Sequence, residues 1–290
     1  MKKVLFIPVI VILAIFSCDN ASDDDPTPET SSVRLKMQHH FNGTPVDYST
    51  EFVTDYGDTV QFSQFQYYLS NLIFIDGDGE EYALEDSYYL VNTDDSNIQD
   101  IELDGLEEGE FTSFKISVGV DSAANASTVN AAGDLDPNGA DGMIWSWATG
   151  YKFIRTEGTY KNGDDSGDFI LHLGKNDNYK TFHFGGTSSD SHSSGESEMS
   201  EETHAHTRIS DEDHSSHSSG SLSISLQDGK TTEIHLMVNV AELFVSPNQI
   251  SLVDNNQSHG SNTALFMNNI EHSSEDDSNG WFSLHHLTTN

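Results

Sequence analysis

The chain has 290 residues and carries 12 lysines and arginines against 48 aspartates and glutamates, which gives a formal net charge of −36. A surface this acidic repels nucleic acid and anionic membrane faces, and it attracts cations, including metal ions. The single cysteine excludes an internal disulfide, a zinc-finger-type thiolate site and a cysteine-centred copper site in the mature domain.

The N-terminus indicates export. Lys2 and Lys3 precede a short apolar run, Val4 to Phe16. The end of this run and the two residues after it read AIFSC (14–18). This ending resembles the lipobox of bacterial lipoproteins, which implies a signal peptide at 1–17 and acylation of Cys18. The acidic stretch 18–32 predicts a flexible tether. We therefore expect a cell-envelope protein, lipid-anchored to the outer membrane and either periplasmic or surface-exposed.

From Val33 onward the sequence predicts strands. VRLKMQHHF (33–41) alternates with period 2 and has one mostly apolar face. No long stretch has a 3.6-residue period, so we predict an all-β, antiparallel β-sandwich with Greek-key-like connections, a single domain over 33–290, and a short helix near 263–270. The other predicted strands are 59–75, 87–92, 111–120, 143–158, 168–174, 179–185, 221–226 and 231–240.

A long polar insert interrupts this pattern. Residues 187–219 contain almost no apolar side chains, which predicts a disordered, acidic, His-rich loop between two strands. Its histidines have H-x-H and H-x-x-H spacings, typical of loose chelation of divalent metals; the alternative is a solvating linker. These predicted accessory ligands are His192, His204, His206, His214 and His217.

Another group of histidines lies on predicted strands, and Met143, Trp145 and Trp147 would share one face of an extended strand. Imidazole and thioether ligands without a thiolate suit copper, especially Cu(I). The alternative is that an inward histidine is a hydrogen-bonded core residue and that the tryptophans fill the core. The strand histidines are His39, His172, His183 and His235, with His285 and His286 near the C-terminus.

Local motifs bear on two further functions, calcium binding and catalysis. Asp134, Asp136 and Asn138 occupy the first, third and fifth positions of an EF-hand-like loop, but Trp145 stands where the bidentate Glu belongs, so this segment is a turn or a calcium site. G-x-S-x-G and H-E-x-x-H are both absent, and no other catalytic motif stands out, so we do not expect an enzyme.

Six segments occur in a characteristic order: MQHHFNGTPV (37–46), FQYYLSNLIFID (65–76), FKISVGVDSAANAS (114–127), GDLDPNGADGMIWSWATGYKFIRTEG (133–158), FILHLG (169–174) and, near the C-terminus, FSLHHL (282–287). This order of motifs is similar to that of the MbnP-like copper-binding family. The resemblance implies an all-β fold, a copper site made of histidines and a tryptophan-derived kynurenine nearby. It also implies a partner, a diheme enzyme of the cytochrome-c-peroxidase-like class, that oxidises the tryptophan.

Residue by residue, the resemblance implies copper ligation by His39 (with His40 as its neighbouring alternative) and His172. Met143 and Trp145 would complete the site, and Trp145 or Trp147 would be the oxidised tryptophan, with Trp145 preferred. The predicted function is a lipid-anchored protein for copper capture or transfer. The alternative is a surface adhesion or ligand-binding β module whose acidic His-rich loop binds metal incidentally.

Overall fold

The computed structural model describes residues 31–93, 96–103, 105–129, 131–140, 142–185, 222–259, 262–272 and 280–290. The predicted signal peptide, Cys18, nearly all of the tether and the His-rich insert 187–219 lie outside these ranges. The five insert histidines therefore lie outside the described residues as well.

The described part of the chain is built mainly from strands. They are β1 (Ser32–Phe41), β2 (Thr44–Pro45), β3 (Phe52–Val53), β4 (Thr59–Asp76), β5 (Glu81–Ala83), β6 (Tyr88–Asn92), β7 (Ile98–Leu103), β8 (Gly109–Val118), β9 (Lys152–Asn162), β10 (Asp165–Gly174), β11 (Lys180–Gly185), β12 (Ile224–Leu226), β13 (Thr231–Asn239), β14 (Gln257–Ser258) and β15 (Phe282–Thr289). The α-helices are α1 (Ser122–Asn125), α2 (Leu252–Asn255) and α3 (Thr263–His272); short 3-10 helices span Gly133–Leu135, Asn176–Asn178 and Val240–Phe244.

The strands form two sheets. The smaller sheet has the order β15–β13–β1–β2, with β7 also paired to β1. The larger sheet has the order β11–β8–β4–β9–β10–β14; β12 pairs with β8, while β3, β5 and β6 pair with β4. The all-β sandwich prediction is confirmed, and α3 confirms the predicted C-terminal helix.

The sheets are mixed and not purely antiparallel as expected. β1 and β13 run parallel from the pair Ser32–Thr231 to the pair His40–Asn239, and β10 and β14 are also parallel. Period-2 alternation determines which face of a strand is buried, but it carries no information about the direction of the neighbouring strand. Parallel neighbours need long connections, so local turn signals do not reveal them.

The main core lies between the sheets. The five inward positions of β1, predicted from its alternation, are all buried, and β13 contributes Ile234, Leu236 and Val238 to the same core. Opposite them, β4 supplies Phe62, Phe65 and Tyr67. The inward positions of β1 are Val33, Leu35, Met37, His39 and Phe41.

A second, smaller apolar cluster lies on the outer face of the larger sheet. We call it the outer cluster; it is formed where residues 119–129, 131–140 and 142–151 pack over β4 and β9. This cover makes one patch of the larger sheet a buried surface on both sides, and it includes Met143, one of the predicted copper ligands. Its buried members are Tyr68, Val120, Leu135, Ala140, Met143, Tyr151 and Phe153.

Across the described ranges, no helix combines the length and the apolar composition that crossing a bilayer requires.

Candidate metal centre

His172 lies on the outer face of the larger sheet. Its neighbours Leu171 and Leu173 on β10 are fully buried in the main core, and successive side chains of a strand point to opposite faces. The His172 ring therefore points away from the core, where it is half-buried. A histidine at this position is reachable from solvent and held on a rigid strand.

A second histidine, His259, lies beside it. Ser258, the last residue of β14, pairs in parallel with Leu171, so the next residue along each strand falls side by side. The rings of His172 and His259 are 5.2 Å apart between centroids, with an interplanar angle of 70°. His259 is exposed. Two imidazoles therefore meet at this edge of the sheet.

Glu157 on β9 orients the His172 ring. Its Oε1 atom lies 2.9 Å from Nε2 of His172 and accepts a hydrogen bond from Nε of Arg155 at 2.8 Å. Burial raises the pKa of Glu157, but the hydrogen bonds from Arg155 and His172 outweigh it and lower the pKa. Because an ionised carboxylate only accepts, His172 donates from Nε2, and its Nδ1 lone pair is left for a metal.

The protonation state of His172 also suits ligation. Burial lowers the pKa of His172, and the hydrogen bond to Glu157 opposes this shift without cancelling it. The charge of Lys152 adds to the lowering. Neutral imidazole is the form that binds metals, so His172 is available as a ligand near neutral pH.

Trp145 forms the wall next to His172. The two ring centroids are 6.2 Å apart in an edge-to-face arrangement, and the indole Nε1 of Trp145 donates to the Tyr151 carbonyl oxygen at 3.0 Å. Trp147 packs against Trp145 at 5.2 Å between centroids and is 64% exposed, whereas Trp145 is 9% exposed. The Lys152 ammonium lies 5.6 Å from the centre of the Trp145 ring.

Gly174 gives Trp145 its space. A Cβ atom at this position would lie 2.9 Å from the Tyr151 carbonyl oxygen and 3.1 Å from a carbon of the Trp145 indole. The register between β9 and β10 shifts at the same point, between Leu173 and Gly174. The indole can thus lie flat against the end of β10 because the residue there has no side chain.

The structure does not place His39 in this site. His39 lies in the main core, where its Nδ1 atom is 3.0 Å from the Asn97 carbonyl oxygen and its Nε2 atom is 2.8 Å from the Tyr67 hydroxyl. It is fully buried. Because His39 packs on the inner face of the larger sheet and His172 is on the outer face, the sheet stands between them.

Met143, another predicted ligand, is a packing residue. Its side chain is fully buried in the outer cluster, and its carbonyl oxygen accepts from the Lys152 backbone N–H at 2.6 Å. Residues 143–151 do not form the expected strand; one isolated bridge joins Ile144 to Tyr151. The structure thus brings together His172 and Trp145, with Trp147 at the rim.

The geometry of the Asp134 loop does not support calcium. The Asp134 carboxylate accepts from the Leu90 backbone N–H at 2.7 Å, and the Asp136 carboxylate accepts from the backbone and side-chain N–H groups of Asn138 at 2.9 Å. These groups are used to close a turn and to fix it on β6. The calcium prediction is therefore withdrawn, because the carboxylate oxygens that would bind the ion already accept hydrogen bonds from within the loop and from β6.

The remaining strand histidines lie elsewhere. His183 is exposed on β11, and Phe182 and Phe184 on either side of it are in the main core, so it shares the outer face of the larger sheet with His172. His235, His285 and His286 form a separate group on the smaller sheet.

His259 and Glu157 are the site residues that sequence reasoning missed. His259 follows a strand of two residues, which has no detectable period, and its partner strand is 87 positions earlier in the chain. Glu157 was one of 48 acidic residues with nothing to distinguish it. The one available signal was the alternation of Arg155 and Glu157 with buried Ile154 and Thr156 on β9.

Comparison with known proteins identifies the family. The MbnP family model matches residues 30–264, well over half of the chain. The chain belongs to the MbnP family. MbnP proteins are associated with methanobactin and copper, so copper is the metal that family membership connects with this fold.

Two other comparisons accompany this match. The solved structure of MbnP from Methylosinus trichosporium aligns with 76% of this chain and 80% of its own, at 11% sequence identity and a TM-score of 0.42. No curated protein matches the chain.

Proposed function

We propose that this MbnP-family protein binds copper at the outer face of its larger sheet, through His172 and His259, and captures or passes on the metal without catalysing a reaction. The observation that carries the proposal is the meeting of two imidazole rings, 5.2 Å apart, beside the indole of Trp145. Imidazole nitrogens suit copper, zinc and nickel. Zinc sites normally have four ligands, whereas Cu(I) accepts two, so a pair of histidines favours Cu(I).

The surroundings of the pair support capture and release. His172 is held by Glu157, whereas His259 is exposed and follows the short strand β14. One fixed ligand and one accessible ligand allow a second protein or chelator to approach the metal. The net charge of −36 attracts cations to the surface of the protein.

Oxidation of Trp145 to kynurenine is part of the same proposal. Opening the indole breaks the C2–C3 bond and adds an oxygen atom to each carbon; hydrolysis then releases C2 as formate. The proposed oxidant is hydrogen peroxide: two molecules are consumed at the haems of a cytochrome-c-peroxidase-like partner, which accounts for the two added oxygen atoms and the four-electron oxidation and releases two molecules of water. Trp145 is preferred because it contacts His172, while Trp147 at 64% exposed covers it on the solvent side. Intact-mass analysis of Trp145→Phe and Trp147→Phe, each produced with the partner, tests which residue changes.

The proposed location is the cell envelope, with the domain tethered by acyl chains on Cys18. The support is the sequence alone: a positive n-region, a short apolar run and a lipobox-like ending. Two or more acyl chains give stable attachment.

The test is a Cu(I) titration against a competing chelator under reducing conditions. The background is the full mature chain with its five insert histidines changed to asparagine, so that loose chelation does not mask the site. We expect one tight Cu(I) equivalent, and a loss of affinity of at least about tenfold in His172→Ala and in His259→Ala. The matched control is His183→Ala, an exposed histidine on the same face, which should bind copper as the background does.

The opposite result would favour the second candidate. If the background protein, with its insert histidines removed, binds no copper above the chelator, metal binding belongs to the insert. The sandwich would then be an adhesion or ligand-binding module, and Trp145 would be a packing residue.

A further inference from the structure

A β-bulge on the smaller sheet gathers three histidines. On β13, His235 pairs with His286 of β15, and the next residue, Leu236, pairs with Leu284, so His285 is the extra residue of the bulge. Leu284 and Leu287 pack against the main core, which leaves His285 and His286 to the outer face. Bulges commonly re-aim side chains next to functional sites. Here the bulge turns two consecutive imidazoles towards a third.

The three rings converge through their Nδ1 atoms. Nδ1 of His286 lies 3.3 Å from Nδ1 of His235 and 2.7 Å from Nδ1 of His285. The ring centroids are 4.7 to 4.9 Å apart in all three pairs. Each residue offers a ligand nitrogen, and these atoms all lie within 4.8 Å of one another. No other group of three metal-ligating side chains this close occurs among the described residues.

Glu233 and Lys36 support the group from β13 and β1. Oε1 of Glu233 lies 3.4 Å from Nε2 of His286 and 3.0 Å from the Lys36 ammonium. Because the ionised carboxylate only accepts, His286 donates from Nε2, and its Nδ1 lone pair faces the other two rings. This carboxylate–histidine arrangement is the one that orients metal ligands in proteins.

The placement of His235 is otherwise unexplained. The residue is 6% exposed, and its Nε2 atom is buried with no hydrogen-bond partner in the described part of the chain. A ring that binds a metal through Nδ1 keeps its proton on Nε2, so a metal would not give this atom a partner, and Nδ1 is the ring nitrogen that the cluster engages. Among the described residues, His235 lacks the two hydrogen bonds to carbonyl and hydroxyl groups that fix the ring of His39 in the core. The polar contacts of the ring point into the cluster.

We propose that His235, His285 and His286 form a second metal site, which binds a divalent first-row transition ion of the zinc and copper class through three imidazole nitrogens. A tetrahedral ion with metal–nitrogen bonds of about 2.0 Å separates its ligand nitrogens by about 3.3 Å. The pair His235–His286 already has this spacing, and the exposed His285 ring has room to move back to it. The fourth position opens to solvent on the side of His285.

This site is independent of the proposed copper centre. It lies on the smaller sheet, whereas His172 and His259 lie on the larger one. Two of its three ligands, His285 and His286, come after residue 264, where the match to the MbnP family ends. Its three imidazole ligands also suit a divalent ion, whereas Cu(I) accepts two ligands.

The experiment uses Zn²⁺ as the probe, in the full mature chain with the five insert histidines changed to asparagine. Calorimetric titration at pH 7.5 should give one tight Zn²⁺ equivalent, and Zn²⁺ should raise the melting temperature. His285→Ala should lower the affinity at least about tenfold and abolish the rise in melting temperature, and Glu233→Gln should lower the affinity about 10- to 100-fold. His285 is exposed, so its replacement leaves the core intact.

Two controls separate this site from other metal binding. His183→Ala and the double variant His172→Ala/His259→Ala should keep the tight Zn²⁺ step. The proposal is overturned if His285→Ala and His286→Ala, each with the circular dichroism of the parent, bind Zn²⁺ with the parent's stoichiometry and affinity. Loss of the Zn²⁺ step in the His172→Ala/His259→Ala variant alone would assign it to the other sheet.

Discussion

At the scale of single residues, His39 shows how a candidate ligand becomes a structural residue. Both of its ring nitrogens have hydrogen-bond partners, and the ring packs edge-on against Phe65 and Tyr67. Burial lowers the pKa of His39 to about 4; the hydrogen bond that its ring donates to the Asn97 carbonyl oxygen opposes this shift, and the charge of His40 adds to it. The ring is therefore neutral at physiological pH.

This shift predicts a pH dependence of stability. The folded-state pKa of about 4 is below the unfolded value of about 6.5, so the unfolded chain binds the proton first. The contribution of His39 is fully present above pH 6.5 and is lost as the pH falls towards 4. Between pH 7.5 and 5 it amounts to about 2 kcal/mol of the free energy of unfolding.

Urea unfolding of the parent and of His39→Gln at both pH values measures this term. The parent should lose about 2 kcal/mol more than the variant on acidification, because glutamine does not titrate. Equal losses would show that His39 is protonated in the folded state at pH 5. A ring titration by NMR, with an expected midpoint near pH 4, provides a second reading.

Sequence reasoning reached only part of this picture. The alternation of β1 predicted that His39 points inward, and it does. The choice between ligand and core residue depended on Tyr67 and Asn97, which are 28 and 58 positions away. A pattern within one strand does not reveal which polar groups the opposite sheet, through Tyr67, and the segment before a neighbouring strand, through Asn97, present to it.

At the scale of elements, the backbone of β4 approaches β9 closely at Gly158. This residue pairs with Phe62, next to a register shift between Phe62 and Gln64. A Cβ atom at Gly158 would lie 2.1 Å from the Gln61 carbonyl oxygen and 2.8 Å from the Phe169 ring. Glycine within a strand often marks such a close approach of another backbone.

Gly158→Ala should therefore lower the free energy of unfolding by on the order of 1–3 kcal/mol, because the strands must separate to admit the methyl group. The matched control is Gly77→Ala in the turn after β4, where the nearest atom, Cγ2 of Thr112, is an ordinary 3.8 Å away. Chemical denaturation of both variants measures the difference. Similar small losses in the two would mean that β9 shifts without cost.

Element boundaries show where local patterns mislead. The predicted strand 143–158 begins in the structure only at Lys152, because Met143 and Trp145 pack over the sheet and not within it. Aromatic residues are frequent in strands, so this covering segment had the composition of one. The strand 168–174 was predicted well, since β10 alternates clearly over Phe169, Leu171 and Leu173.

At the scale of the whole molecule, both metal-binding proposals depend on strands that are distant in sequence. His172 meets His259 through a parallel pairing, and β13 meets β15 across 51 positions. The first strand is joined to β13, with Ser32 and Thr231 199 positions apart. Sequence patterns identified the strands and the family. They did not identify these pairings, because each one joins strands that are far apart along the chain.

The proposed anchor also acts on the whole molecule. Changing Cys18 to Ala removes the acylated side chain, so the protein should move from the membrane fraction to the soluble envelope fraction. The control is Ser22→Ala in the same tether, which should leave the protein with the membranes. If the Cys18→Ala protein still sediments with membranes washed in high salt, another segment holds it there.

The three tryptophans have three different surroundings: Trp281 is fully buried in the main core, Trp145 is nearly buried beside His172, and Trp147 is largely exposed. Their fluorescence should therefore contain separable contributions, with blue-shifted emission from Trp281 and red-shifted emission from Trp147. In protein produced without the oxidising partner, so that Trp145 is intact, Cu²⁺ added as a paramagnetic probe in place of Cu(I) would quench Trp145 and Trp147 first if it binds near His172. A single emission spectrum would then report on loading of the site and on integrity of the sandwich.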